Sequence, residues 1–203
     1  MLPRKTAAQK RSRVTVEALL DATARVLTRE GYDRASTNRI AAVAGVSVGS
    51  LYQYFPNKEA LVAALVARHN RDMLTLLREA MAGVASLPLA SAIRELVRAM
   101  IDAHRVDPDL HRIFDEQIPR MGQLAEIAMV EREIFALVRA YLEDHSREIE
   151  PTNLDVVTFI CVTSVETLTH EIVIRNADAS FGETNFVEEV TRLIVGYLKP
   201  TRP

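Results

Sequence analysis

The sequence predicts an all-α protein in which a three-helix domain with a helix-turn-helix precedes a larger helical bundle. Apolar residues recur at helical spacing along most of the chain, and no stretch shows the apolar–polar alternation of a strand bounded by turns. Only 7 Gly and 8 Pro occur among the 203 residues, so few positions interrupt a helix. Apolar residues make up 48% of the chain and charged residues 26%, which allows one ample core or two small ones.

Basic residues are concentrated near the N-terminus. Residues 1–60 hold 10 Lys and Arg against 5 Asp and Glu, a balance of +5, whereas residues 61–203 hold 15 against 22, a balance of −7. Residues 1–13 hold no acidic residue, so we predict a disordered basic arm that either stays solvated or reaches phosphates or the minor groove. A basic first third joined to an acidic remainder fits a nucleic-acid module on a different kind of domain. We therefore place a DNA-binding domain at residues 14–60, after the basic arm, and a regulatory domain at residues 61–203.

The first helix is predicted over residues 14–30, where apolar side chains form a wide stripe of helical period. Gly31 ends this helix, and Tyr32 is expected to pack back beneath the helices that follow. The stripe indicates a core scaffold that braces the next two helices.

Residues 37–59 predict a helix-turn-helix. Thr37 is the expected N-cap of its first helix, and Gly45 supplies the left-handed residue that ends that helix. Ser47 is expected to cap a second helix over residues 48–54. The second helix of such a pair usually lies in the major groove of DNA, although helical hairpins with a glycine turn also occur as plain scaffold.

The same stretch is similar to the TetR/AcrR family of transcriptional regulators. It fits the pattern AxxAGVSxGxLYxYFxNKExL from Ala41 to Leu61, and the similarity extends from about Val14 to Leu65, roughly the first third of the chain. The pattern is far more specific than a bare helix-turn-helix. The resemblance implies a homodimeric, DNA-binding regulator whose remaining residues form a ligand-binding and dimerisation domain.

The resemblance also implies which side chains contact double-stranded DNA. The residues expected at phosphates are Thr37, Tyr54 and Lys58, and Tyr52 is a further expected contact. The residues expected to face bases are Val48, Gly49, Ser50 and Gln53. Asn38 and Arg39 are additional candidates, and Arg39 suits either a phosphate or a guanine. Val48 departs from relatives with a polar or basic residue there, so we expect only apolar contact from it, such as with a thymine methyl.

Asn57 is expected to cap a long helix that continues to about residue 81 and joins the two domains. A single helix of this kind would transmit a change of tilt from one domain to the other. The remaining helices are predicted at residues 89–105, 108–117, 121–147, 152–176 and 184–198.

The helix predicted at residues 152–176 is apolar on more than one side and must be covered all round. Burial within its own monomer is one solution; the other, which the resemblance also implies, is a two-fold interface of two helices from each chain. The predicted interface residues are Leu168, Ile172, Phe186, Leu193, Ile194 and Tyr197. Such a dimer would place two helix-turn-helix copies about one duplex turn apart on a palindromic operator.

Polar groups among the apolar helices of the second domain are candidates for a pocket that holds a largely apolar small-molecule effector. These candidates are His104, His111, Glu116, Glu166 and His170. No HExxH, CxxC or glycine-rich phosphate loop occurs, so we predict no metal site, no cofactor and no enzymatic activity. The lone Cys161 excludes an intramolecular disulfide.

The predicted function is a repressor that binds a palindromic operator and is released by a small molecule. A regulator of the same fold that activates transcription, or that needs its ligand to bind DNA, would share these residues. Two other classes are an architectural protein that binds DNA weakly and a helical small-molecule enzyme. No apolar run reaches the ~18 residues of a membrane span, so we expect a cytoplasmic protein.

Overall fold

The computed structural model describes residues 4–121, 125–150, 153–175 and 182–199. Within these ranges it contains nine α-helices, one π-helical segment and no strand, which confirms the predicted all-α class. The helices are α1 (Arg4–Glu30), α2 (Thr37–Ala44), α3 (Val48–Tyr52), α4 (Lys58–Val84), α5 (Leu89–Arg105), α6 (Pro108–Met121), α7 (Ala125–Asp144), α8 (Leu154–His170) and α9 (Glu183–Leu198); the π segment (Glu171–Arg175) continues α8.

Helix α1 is longer than the sequence pattern predicts. It begins at Arg4, so most of the segment 1–13, which we expected to be a disordered arm, is helical; residues 1–3 lie outside the described residues. The physical reason is propensity, because this segment consists mainly of Ala, Gln, Lys and Arg and has neither glycine nor proline after Pro3. Apolar periodicity identifies only the part of a helix that packs on a core.

The first of two packing units contains α1 to α3, α4 as far as His69, and α6 from Asp109. Its fully buried side chains come from four helices and include Leu19, Leu27, Ile40, Leu51, Leu61 and Leu65. This core presses α2 and α3 against the longer helices α1 and α4. The unit therefore extends beyond the boundary drawn at residue 60 and takes in α6, which we had expected in the second domain.

The second unit contains the rest of α4 together with α5 and α7 to α9. Its core joins four helices through Leu89, Ile93, Val97, Ile101, Leu142, Val157, Cys161, Val187, Val190, Ile194 and Leu198. Arg94 of α5 forms a two-pronged ion pair with Glu188 of α9, at 2.6 Å from Nε to Oε1 and 2.9 Å from Nη2 to Oε2. Apolar packing and this ion pair fix α9 beside α5.

One helical stretch, Leu154–Arg175, is long and apolar enough to cross a membrane on length and composition alone. This does not conflict with the expectation that no uninterrupted apolar run reaches ~18 residues, because Asp155 and Glu166 lie within the stretch. A single helix of this kind is weak evidence, since core helices of soluble proteins have the same composition.

Candidate nucleic-acid interface

The turn between α2 and α3 is built by capping residues at both ends of α2 and at the start of α3. Ser36, not Thr37 as expected, is the N-cap of α2, and its Oγ accepts a hydrogen bond from the Arg39 N–H at 3.2 Å. Gly45 ends α2 in the left-handed conformation with φ of 69°, as predicted. Ser47 then caps α3 by accepting from the Ser50 N–H at 3.0 Å. Short helices are marginal alone, so these bonds and the buried face keep them formed.

Helix α3 buries one face and exposes the other. Leu51 is fully buried, and Phe55 is buried just beyond the helix end. The helix ends at Tyr52, so Gln53 and Tyr54 follow it in a turn closed by the Tyr54 N–H on the Leu51 carbonyl at 2.9 Å. The two buried side chains hold the recognition segment in one orientation on α1, α2 and α4.

The residues predicted to contact DNA are all partly or fully exposed. The exposed ones are Asn38, Arg39, Gly49, Tyr52 and Gln53, and the half-exposed ones are Thr37, Val48, Ser50, Tyr54 and Lys58. Thr37 Oγ1 lies 3.1 Å from Tyr52 Oη, which brings the start of α2 and the end of α3 together. The Oγ atoms of Ser47 and Ser50 lie 2.8 Å apart. These two hydroxyl pairs, at the ends of α2 and α3, can donate to phosphates or base edges.

Lys58, predicted to hold a phosphate, is fixed by the turn that follows α1. Its Nζ donates to the Tyr32 carbonyl oxygen at 3.0 Å and lies 3.9 Å from the centre of the Tyr32 ring. Tyr32 Oη in turn donates to Glu59 Oε1 at 3.4 Å. Tyr32 therefore positions a cation as well as packing beneath the helices, a role that its place in the sequence does not indicate.

Arg39 also has a partner from α1. Its Nε and Nη2 both lie 2.7 Å from Oε1 of Glu30, the last residue of α1. Sequence spacing does not reveal this ion pair, because Glu30 and Arg39 belong to different helices on either side of a turn. Arg34 donates from Nε to the Glu30 carbonyl oxygen at 2.8 Å, so two guanidinium groups lie at this helix end.

The pocket candidates with described side chains belong to two packing units. His104 is buried in α5 with its Nδ1 2.6 Å from the Met100 carbonyl oxygen, and its ring makes an edge contact with His170 at 5.6 Å between centroids. His111 belongs to the first unit, where its ring lies 4.3 Å from that of His69. Glu166 is exposed on α8, and the side chain of Glu116 lies outside the described residues. Spacing could not assign these helices to separate units.

The interface candidates divide between core and surface. Ile194 is only 3% exposed and belongs to the core of its own monomer, so we correct its assignment. Leu193 is 56% exposed on the other side of α9, and Phe159 of α8, absent from the predicted set, is 61% exposed. The candidates that lie partly buried are Leu168, Ile172, Phe186 and Tyr197. Phe159 and Leu193 are thus the most exposed large apolar side chains of α8 and α9 among the described residues.

Sequence models of known families match two parts of the chain. Residues 19–65 match the model described as bacterial regulatory proteins, tetR family. Residues 88–198 match the tetracyclin repressor-like C-terminal domain. Together the two matches span both the helix-turn-helix and the helical bundle.

The chain is also similar to curated relatives over about 70% of its length. The chain is 32% identical to an uncharacterized HTH-type transcriptional regulator, MT1294, of Mycobacterium tuberculosis over 148 residues, which is 72% of this chain and 70% of that protein. It is 26% identical to an uncharacterized HTH-type regulator, YhgD, of Bacillus subtilis over 146 residues, covering 70% of this chain and 75% of that protein.

A similar fold occurs in the solved structure of the fatty acid degradation regulator FadR from Bacillus halodurans. The two superimpose with a TM-score of 0.69 over 93% of this chain and 97% of that one. The sequences are 19% identical, so this likeness concerns the arrangement of helices alone.

Proposed function

Because the chain belongs to the TetR family of transcriptional regulators, we propose that it represses transcription from a palindromic operator as a homodimer and is released by a small-molecule effector. The observation that carries the proposal is the surface around α3. Leu51 anchors the helix in the core, while Ser50, Tyr52 and the start of α2 present hydroxyls outward. A short helix held in this way fits the major groove.

The arrangement supports separate roles for phosphate and base contacts. Tyr54, Thr37 and Lys58 suit phosphates, since they combine hydroxyl donors with one cation. Gly49 and Ser50 suit base edges, because Gly49 has no side chain to hold the helix away from the groove. A Cβ at Gly49 would meet only Ser47 Oγ, at 3.9 Å, so the fold itself does not require glycine there.

The exposed apolar residues of the second unit support a homodimer. Phe159 of α8 and Leu193 of α9 expose more than half of their surface, and they lie on two helices that pack on each other, as the residues of an interface patch would. A second copy that contributes the same two helices would cover them by two-fold symmetry. Two helix-turn-helix copies then read the two half-sites of a palindrome.

The polar residues beside the π segment support an effector site in the second unit. The π segment packs on α5 as well as continuing α8, and His104 and His170 meet at this junction. Single π turns inside helices often occur at functional sites. We place the effector there, with His104 and His170 as its polar contacts and His111 excluded.

A regulator that needs its ligand in order to bind DNA, or that activates transcription, has the same DNA-contacting residues. The effector separates release from ligand-dependent DNA binding, since it either weakens or strengthens operator binding by its differential affinity for the two conformations. Repression and activation are separated by the effect of the bound protein on transcription. Since its operator is chromosomal or plasmid DNA, we place the protein in the cytoplasm.

The experiment that tests the proposal is selection of binding sites from random duplexes by the purified protein at near-physiological salt. A palindrome with half-sites about one helical turn apart is the expected result. Failure to recover any consensus, together with binding that depends only on salt, would favour an architectural role.

A further inference from the structure

The ion pair between Glu30 and Arg39 lies beside the predicted DNA contacts, and its geometry gives Glu30 a role of its own. Both donors, Nε and Nη2 of Arg39, are 2.7 Å from the same carboxylate oxygen. The Glu30 side chain is 28% exposed and that of Arg39 is 53% exposed. The carboxylate is therefore held against the protein, while the far edge of the guanidinium remains open to solvent.

Arg39 occupies the first turn of α2, where the neighbouring Thr37 is hydrogen-bonded to Tyr52 at the end of α3. A mobile arginine on such a surface would pair with any nearby phosphate and would add affinity for DNA of every sequence. The ion pair with Glu30 restricts the conformations of the Arg39 side chain, because it occupies two of the guanidinium donors and holds the side chain in one orientation. The donors that remain can reach only a fixed point on the duplex.

Glu30 also adds a negative charge close to the duplex. Its carboxylate repels the phosphates of every duplex alike, so this charge by itself does not change the ratio of operator affinity to affinity for unrelated DNA. Arg34, whose Nε donates to the Glu30 carbonyl at 2.8 Å, lies at the same helix end. Glu30 thus holds two guanidinium groups, that of Arg34 through its backbone carbonyl at the negative end of α1 and that of Arg39 through its side-chain carboxylate.

We infer that Glu30 is a positioning residue that raises the specificity of DNA binding by restraining Arg39. This inference rests on the proposed function, since it concerns the same DNA surface. Glu30 need not touch DNA itself. Its effect is to increase the ratio of the affinity for an operator to the affinity for unrelated DNA.

The test uses the Glu30→Gln variant of the full-length protein and two duplexes of equal length. One is the consensus recovered by selection with the unaltered protein, and the other is its scrambled sequence. Released from Glu30, Arg39 gains about one phosphate contact on scrambled DNA, so the salt slope steepens by ~0.9 and affinity at 0.15 M salt rises about fivefold. The affinity for the operator does not rise by the same factor, so the ratio of operator affinity to scrambled-DNA affinity falls.

Two controls separate this role from charge and from folding. Glu17→Gln removes the same charge from α1, where Glu17 pairs with Arg68 at 3.0 Å, and must leave the ratio unchanged. In an Arg39→Gln background, Glu30→Gln must lose its effect on the ratio. Thermal unfolding of each variant reports any loss of structure.

The inference is overturned if Glu30→Gln changes both affinities equally, if it leaves both unchanged, or if its effect persists without Arg39. Equal weakening with a lower unfolding temperature would reveal a purely structural residue. If the unaltered protein recovers no consensus, the proposed function fails first and the inference fails with it.

Discussion

Two glycines of the helix-turn-helix have different requirements at the residue scale. Gly45 has φ of 69°, and a Cβ added to it would have no atom within 4 Å, so its requirement is conformational. Gly49 lies in α3 with ordinary helical backbone and an open side. The first glycine is needed to form the turn, whereas we assign the second to close approach to DNA.

Gly45→Ala is therefore expected to lower the free energy of unfolding by about 1–2 kcal/mol, the cost of a left-handed alanine. Gly49→Ala is expected to unfold no more easily, since alanine favours helix, but to weaken operator binding by separating α3 from the bases. Urea unfolding and operator titration of both variants check this pair. If Gly49→Ala lowered the free energy of unfolding as well as the affinity for the operator, glycine at this position would serve the fold, and its assignment to close approach to DNA would be wrong.

Cys161 is the only cysteine of the chain and is 6% exposed in the core of the second unit. Burial raises the pKa of its thiol from 9.0 to about 11. We expect iodoacetamide to label the native protein very slowly at pH 8 and to label it readily in urea, as mass spectrometry would show. Fast labelling of the native protein would mean that α8 opens.

The sign of the pH effect follows from the direction of this shift. A thiol with a raised pKa in the folded state contributes its full stability below pH 9 and loses it as pH rises through about 11, because only the unfolded chain ionises in that interval. The native protein should therefore become less stable in this alkaline range, and Cys161→Ser should show a smaller dependence there.

At the scale of helices, the ion pair between α5 and α9 is expected to make stability depend on acid. Hydrogen bonds from Arg94 lower the pKa of the Glu188 carboxyl below its ordinary 4.5. A lowered pKa gives stability that is present above about pH 4.5 and is lost as pH falls through the folded-state value. Glu188→Gln should flatten the fall of the unfolding temperature below that pH.

Glu189→Gln is the matched control for this prediction. Glu189 is the next residue of α9, and it pairs with Arg192 of the same helix at 2.7 Å. That local pair joins no second helix, so the variant should keep the acid dependence of the unaltered protein. If the unfolding temperatures of both variants fell with acid to the same extent, the ion pair between α5 and α9 would not be the cause of the acid dependence.

At the scale of the whole molecule, the proposed homodimer depends on the exposed apolar residues of α8 and α9, which we propose to form its interface. A glutamate in place of Phe159 or of Leu193 would be buried without a partner in the dimer. We expect each variant to weaken the dimer by on the order of a hundredfold or more, as sedimentation velocity would show.

Val106→Glu supplies the control for dimerisation, since Val106 is an exposed apolar residue at the end of α5, outside the proposed interface. This variant should sediment like the unaltered protein. Monomers from all three variants would indicate general destabilisation, and dimers from Phe159→Glu and Leu193→Glu would place the interface elsewhere.

Local features of the chain predicted the turn between α2 and α3 and the bounds of some helices, although not the start of α1 or the N-cap of α2. The bounds of α5 agree with the predicted 89–105, and Gly45 and Ser47 have the conformations and bonds expected of them. Asn57 caps α4 as predicted, accepting from the Ala60 N–H at 2.8 Å. These features depend on neighbours within four residues, so the sequence carries them directly.

The all-α class, the helix-turn-helix and the family could be predicted from the chain alone, because helical period, capping and a dense motif each lie within a short stretch. The packed helices were needed to find that Glu30 holds Arg39, that His104 meets His170 while His111 lies in the other unit, and that Ile194 is core while Leu193 is surface. Each of these findings depends on which helices pack together. Helices with similar apolar stripes could pair in several ways, and the pairing is fixed only by how the side chains of the whole core fit together.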